Sequence, residues 1–198
     1  SRLKDFEILK PTKLAPNLGI AFLGAMPNGM GFLLDNETAL DLIRANPENS
    51  KVLKRYLTGK DLVTRPDQSP SRWIIDFQDW TLEEASKFRE PFEIVREKVK
   101  PVRDLNRRKK YRENWWRFGE ERPGLRSKTQ NLTRFICTSH ASKFPIFVFV
   151  ENKNIFPSNT TVSIAFDDYE RLGVLSSKFH TDWQKHHGSS LASFARYT

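Results

Sequence analysis

The sequence predicts a domain of mixed α/β type. Three observations predict it. Short runs rich in β-branched and aromatic residues, bounded by turn residues, recur at residues 20–24, 72–77, 135–141, 146–151 and 161–166. Helix-period stretches lie between them, most clearly Phe92, Val95, Val99 and Val102, spaced 3, 4 and 3. The 198 residues are also enough to bury roughly 70% of the unfolded chain's surface, so one core needs no disulfide or metal staple. No flexible linker interrupts the chain, and it reads as a single domain over residues 1–198.

The elements follow in order. Ile20 to Gly24 alternates as a strand, and a Pro27-Asn28-Gly29 turn leads to a second strand at residues 29–34. Asp35 or Asn36 caps a helix through Ala39, Leu40, Leu42 and Ile43, which Asn46-Pro47 ends. A shorter helical piece is expected at residues 52–57, closed by Thr58-Gly59, and a loop at 64–70. After the strand at 72–77, Thr81-Leu82-Glu83-Glu84 is a capping box. A long basic helix begins near Pro91 and is bent or split at Pro101. In the last third, strands at 135–141, 146–151 and 161–166 are joined by connections that include Phe156-Pro157-Ser158-Asn159. Asp167 or Asp168 then caps a helix through Tyr169, Leu172 and Leu175, and a final helix spans residues 179–186.

Charge is the strongest functional signal. The net charge is +9 with a pI near 9.7, which points to a polyanionic partner. It is concentrated between Lys87 and Lys128, where fifteen Lys or Arg face seven acids, a net +8 in 42 residues. Arg96, Lys100, Arg103, Arg107 and Lys110 fall at spacings of 4, 3, 4 and 3, a cationic row flanking the apolar stripe on the same helix. Together with Arg108, Lys109 and Arg112 they are the candidate phosphate-binding residues, because a row of cations can follow a phosphate backbone. The alternative is a solvated helix face with local ion pairs. Adjacent Trp115 and Trp116 divide similarly between core packing and stacking on an unpaired base.

Catalytic chemistry is hard to find. There is no Walker A loop, no G-x-G-x-x-G after a strand and no G-x-S-x-G elbow. Asp76, Asp79, Glu83 and Glu84 with Lys87 sketch a metal-dependent nuclease, but two of these acids sit where a helix start favours them. The histidines lack metal-ligand spacing, and no metal is expected. A single cysteine, Cys137, excludes a disulfide framework, fits a cytoplasmic setting and reads as a buried small residue. The longest apolar run, residues 144–150, is far short of a membrane span, so no membrane partner is expected. The balance favours a binding module over an enzyme.

The chain also resembles a known family. The matching pieces are Phe22-Leu23-Gly24 with Gly29-Met30-Gly31-Phe32, Asn46-Pro47-Glu48-Asn49, Tyr56-Leu57-Thr58-Gly59-Lys60-Asp61-Leu62 and Arg65-Pro66-Asp67-Gln68-Ser69-Pro70-Ser71-Arg72-Trp73-Ile74-Ile75-Asp76-Phe77. They continue through Pro91-Phe92, Lys98 to Arg103, Trp115-Trp116 and Phe166-Asp167-Asp168-Tyr169 to the terminal Arg196-Tyr197-Thr198. These resemble the target recognition domain of the large type IIG-like (MmeI-like and Eco57I-like) bacterial DNA adenine-N6 methyltransferases of restriction–modification systems. The resemblance covers nearly the whole chain.

The resemblance implies the α/β (α+β) fold shared with type I specificity subunits, a twisted, mostly antiparallel sheet with packed helices, and a role in sequence-specific recognition of double-stranded DNA. It implies a bacterial, cytoplasmic parent enzyme whose upstream domain in the same chain binds S-adenosylmethionine and methylates adenine. That domain's Asn-Pro-Pro-Tyr motif is absent here, so no catalytic residue and no cofactor are expected within these residues. The first residue is not Met, and the chain reads as part of a longer polypeptide. In the family, recognition residues alternate along a late strand, here residues 136–143, and His140 stands where related sequences often carry Arg. Period-2 geometry puts Thr138, His140 and Ser142 on one face, with Lys143 following. These, with Asn159 and Thr160 on a nearby loop, are the candidate base readers, since such groups donate and accept at base edges. The rival readings are an RNA- or single-strand-binding module built on the tryptophans, and a nuclease fragment.

Overall fold

A computed structural model describes residues 17–191 and 194–197. The architecture is mixed α/β, as the sequence predicts, with the mostly antiparallel strands that the resemblance implies, but among the described residues the strands divide among three sheets. One four-stranded sheet runs β1 (Ala21–Leu23), β9 (Thr161–Ile164), β5 (Arg134–Ser139) and β7 (Val148–Glu151), every pair antiparallel. A second runs β2 (Leu33–Leu34), β4 (Arg72–Ile75), β3 (Leu53–Leu57) and β8 (Ile155–Pro157). Here β3 and β8 are parallel, with Tyr56 opposite Phe156. A small third sheet joins β10 (Ser189–Leu191), β11 (Phe194–Arg196) and β6 (Ala141–Ser142).

Local chemistry accounts for most element ends. Helix α1 (Asn36–Ala45) starts where the Asp35 carboxylate accepts from the Thr38 amide at 2.7 Å, and it stops at Asn46 before Pro47. Helix α3 (Leu82–Ser86) carries the predicted Thr81/Glu84 capping box. Asp168 caps α8 (Tyr169–Ser176), and Ser177 caps α9 (Lys178–His187). Residues 52–57 differ from expectation: they form β3, not a helical piece. Thr58 then begins a helix instead of ending one, capping α2 (Gly59–Thr64) through a reciprocal box with Asp61. Residues 155–157 are a strand although they contain Pro157, because β8 is an edge strand. The expected strand at 29–34 shortens to a 3-10 turn, Met30–Phe32, followed by β2.

Strand β5 organises one side of the core. Phe135 and Cys137 point into a cluster with Leu57, Leu62 and Val150. Ile136, between them, points to the other face, where it meets Phe147, Val162 and Ile164 with Leu172 and Leu175 of α8 nearby. Burial pushes the Cys137 thiol up to about 12, so it stays protonated and inert. The largest cluster gathers Phe32, Ile74, Ile75, Phe77, Phe92, Val95 and Val99, and it includes both Trp115 and Trp116. The two tryptophans are therefore core residues, and Trp116 Nε1 donates to the Trp80 carbonyl at 3.0 Å. That removes them as stacking platforms for a single strand.

The basic segment folds as four helices, α4 (Arg89–Lys98), α5 (Lys100–Asp104), α6 (Lys109–Glu113) and α7 (Pro123–Thr129). Phe92, Val95 and Val99 are buried as predicted, but Val102 is 69% exposed. Arg103 takes the inward place at 3% exposure. Its guanidinium donates to the carbonyls of Pro27 at 2.6 Å, Arg117 at 2.7 Å and Asn114 at 3.2 Å. It also lies between the rings of Phe32 and Tyr111, at 5.4 and 5.3 Å. Arg103 lies four residues after Val99 and so shares its buried face, and its amide donates to the Val99 carbonyl at 3.0 Å. Arg103 is thus a tie between three chain segments and not a phosphate contact, which corrects the sequence expectation. Arg103→Ala leaves those carbonyls without their charged donor and is expected to cost about 3 kcal/mol in urea unfolding.

Candidate nucleic-acid interface

The ends of β3, β5 and β8 converge on one open cleft of about 810 Å³. Its walls come from residues 58–65 of α2 and its caps, from Ser71 and Arg72 at the start of β4, from residues 139–141, and from residues 158–160. Backbone hydrogen bonds hold these pieces together. The Ser158 amide donates to the Leu57 carbonyl at 2.8 Å and the His140 amide to the Thr160 carbonyl at 2.8 Å. The Gly59 amide donates to Thr160 Oγ1 at 2.9 Å. A β-carbon at Gly59 would lie 2.5 Å from the Thr160 carbonyl oxygen and 2.7 Å from Ser139 Oγ, so this approach requires glycine.

Three of the expected base readers reach the cleft, His140, Asn159 and Thr160. The Thr160 hydroxyl is committed within the protein, to Gly59 N and at 2.6 Å to Ser158 Oγ. His140 Nε2 lies 3.1 Å from Arg196 Nε. Arginine cannot accept, so Arg196 donates, and the neutral ring carries its proton on Nδ1. Burial, and then the neighbouring Arg196 charge, hold the His140 pKa below its ordinary 6.5.

Thr138 and Ser142 do not join them. Thr138 is fully buried, because β5 lies between β9 and β7 with core on both of its faces. Ser142 is also buried, and its hydroxyl donates to the Phe144 carbonyl at 2.8 Å. The alternation assumed one strand from 136 to 143. The chain instead turns at His140, and β6 pairs in a different sheet. Lys143 is exposed beyond β6, its ammonium 5.4 Å from the Phe144 ring.

The helical cations are largely matched with acids or carbonyls. Arg96 pairs with Glu93 at 2.5 Å, Lys100 with Asp104 at 2.7 Å and Lys109 with Glu113 at 3.5 Å. Arg112 Nη1 donates to the Asn106 and Arg107 carbonyls. Arg107, Arg108 and Lys110 are exposed and have no acidic partner among the described residues. Sequence reasoning missed the cations of the cleft itself, Lys60, Arg65 and Arg72, all exposed on its walls. Their signal was present: each lies within the blocks that carry the family resemblance. The one acid on the walls, Asp61, is consumed locally. Burial pushes its pKa up, but hydrogen bonds from Ser71 and Thr58 outweigh that and hold it below 3.8.

The acids that sketched a nuclease are dispersed. Asp76 is buried and pairs with Arg126 at 2.9 Å, while Glu84 closes the Thr81 box. Among the described residues no group of His, Cys, Asp and Glu could hold a metal ion.

The fold and cleft define a class: an α/β binding domain with polar strand-end and loop groups set between cations. The family model of the MmeI target recognition domain matches residues 5–198, and the chain belongs to that family, whose domains recognise DNA sequence in restriction–modification systems. A similar fold occurs in the solved structure of the type IIL restriction–modification enzyme MmeI in complex with DNA, with a TM-score of 0.72 and 22% identity. That likeness covers 96% of this chain and 24% of the enzyme's chain, so this chain spans about a quarter of that protein. No curated protein is matched.

A depressed histidine pKa has a signed consequence. The folded state favours neutral His140, so the stability it contributes is present above the ordinary pKa of 6.5 and is lost as pH falls through the lower folded value. His180, also lowered by burial, acts in the same sense. NMR titration of the His140 ring is expected to show a midpoint below 6.5, moving up in Arg196→Ala. Gly59→Ala is expected to lower the melting temperature by several degrees, by forcing Thr160 off the cleft floor.

Proposed function

We propose that this chain is the DNA-reading part of a larger bacterial, cytoplasmic restriction–modification methyltransferase. An upstream domain of the same polypeptide would use S-adenosylmethionine to methylate adenine N6. The supporting observation is the cleft: Lys60, Arg65 and Arg72 line its walls around His140 and Asn159. Cations at such walls hold phosphates and set register, while the polar groups between them meet base edges in the major groove. Arg107, Arg108 and Lys110 are further exposed cations that can meet phosphates without touching bases. S-adenosylmethionine belongs with the upstream domain. The sequence holds no Asn-Pro-Pro-Tyr motif, and the cleft presents cations and no glycine-rich loop after a strand. A methylated adenine must leave the duplex stack to reach such a domain, so this chain's task is to hold the flanking duplex in place.

Binding is measured with duplex DNA, single-stranded DNA and RNA of equal length at two salt concentrations. Duplex is expected to bind most tightly, and tenfold tighter binding of single strands or RNA would end this reading. Lys60→Ala, Arg65→Ala or Arg72→Ala is expected to weaken all duplexes alike and to reduce the log–log salt slope by about 1 each. Asn159→Ala is expected to alter which sequences bind.

A further inference from the structure

The carboxy-terminal strand β11 carries a group that the cleft alone does not disclose. Arg196 stands opposite Ala141 in the β11–β6 pairing, and Ala141 lines the cleft. The Tyr197 amide donates to the His140 carbonyl at 2.9 Å, which fastens this end of β11 directly to His140. The Tyr197 ring is itself packed edge-on against Phe147, and its hydroxyl lies 3.1 Å from His180 Nε2. The backbone of Arg196 is thus held on both sides before its side chain does anything.

That side chain uses one donor internally. Arg196 Nε donates to His140 Nε2. Its Nη1 and Nη2 groups take no hydrogen bond or ion pair among the described residues, and the residue is half-buried. A guanidinium whose Nε is occupied and whose two terminal nitrogens remain open presents a planar, two-pronged donor edge with little rotamer freedom left to lose. The imidazole it fixes bears its proton on Nδ1 and is a donor as well.

We propose that Arg196 is a specificity-determining residue, and that Arg196 with His140 forms a donor-only reading head for a guanine at one position of the DNA target. The proposal rests on the duplex-reading function above. Its chemistry is that of the major groove, where only guanine offers two adjacent acceptors, O6 and N7, to a bidentate donor, while adenine sets an amino donor beside N7. Lysine at this position keeps the charge but supplies no fork, so it cannot reproduce the pattern.

The test is selection from duplexes randomised across the bound site. It compares the wild-type chain, Arg196→Ala, Arg196→Lys, His140→Ala and the Arg196→Ala/His140→Ala double variant. The readout is the relative preference at each base pair within each protein, which does not depend on overall affinity. The wild type is expected to prefer guanine by at least about tenfold at one position. Both Arg196 variants are expected to reduce that preference to below about threefold and to spare the other positions. His140→Ala is expected to act at the same position, and the double variant to go no further than Arg196→Ala. Should Arg196→Ala melt below the assay temperature, Arg196→Lys decides, since β11 pairs through its backbone. The inference is overturned if the wild type is selective and both Arg196 variants select the same sequence, or if Arg196 and His140 govern different positions. A wild-type chain with no sequence preference at any position instead removes the duplex-reading proposal and this one with it.

Discussion

The structure depends on how the chain crosses from one sheet to the other between Pro157 and Thr161. Pro157 ends the parallel edge of the β2–β4–β3–β8 sheet, and Thr161 begins β9 of the other. Within this crossing Ser158 N binds Leu57 O, Asn159 N binds Ala25 O, and Ala25 N binds Pro157 O. Thr160 O and Oγ1 receive the amides of His140 and Gly59. Four separated stretches of sequence are tied here, all but one of the bonds running between backbone groups, which cannot be left unpaired in the interior at low cost. The cleft is the outer surface of that junction, so its shape follows from the same bonds that join the sheets.

The central place of β5 has two consequences. It gives its sheet a strand packed on both faces, with Phe135 and Cys137 on one side and Ile136 on the other. It also confines any ligand contact to the strand's end, since everything from Phe135 to Ser139 is buried. His140 is the first residue past that limit, and the turn there passes the chain into a third sheet, where Arg196 meets it.

Charge behaves differently from its linear density. Much of the basic helical segment is locally neutralised by acids three or four residues away, as in Arg96–Glu93 and Lys100–Asp104. Exposed pairs of this kind contribute little to stability, but they reduce the net field of that surface. The cleft cations come from the other 156 residues, whose net charge is only +1. Cations collect at the cleft because folding gathers Lys60, Arg72 and Arg65, the last 3.6 Å from Asp67, while Asp61 is turned into a helix cap.

The sequence by itself determined the mixed α/β class, the caps at Asp35, Thr81 and Asp168, the strands around Ile74, Ile136 and Val162, and the family, because these rest on local periodicity, capping chemistry and contiguous motifs. It also singled out His140, Asn159 and Thr160, which do share the cleft. Only the tertiary structure decided that residues 53–57 form a strand, since their partners lie at 72–75 and 155–157. Only it decided that Arg103 faces inward, that Thr138 and Ser142 are buried, and that Arg196 reaches His140 across 56 residues of sequence. The physical reason is common to these cases. A residue's spacing says which face it shares with its neighbours, but what covers that face is set by chain segments far away, and burial and hydrogen bonding there outweigh the local pattern.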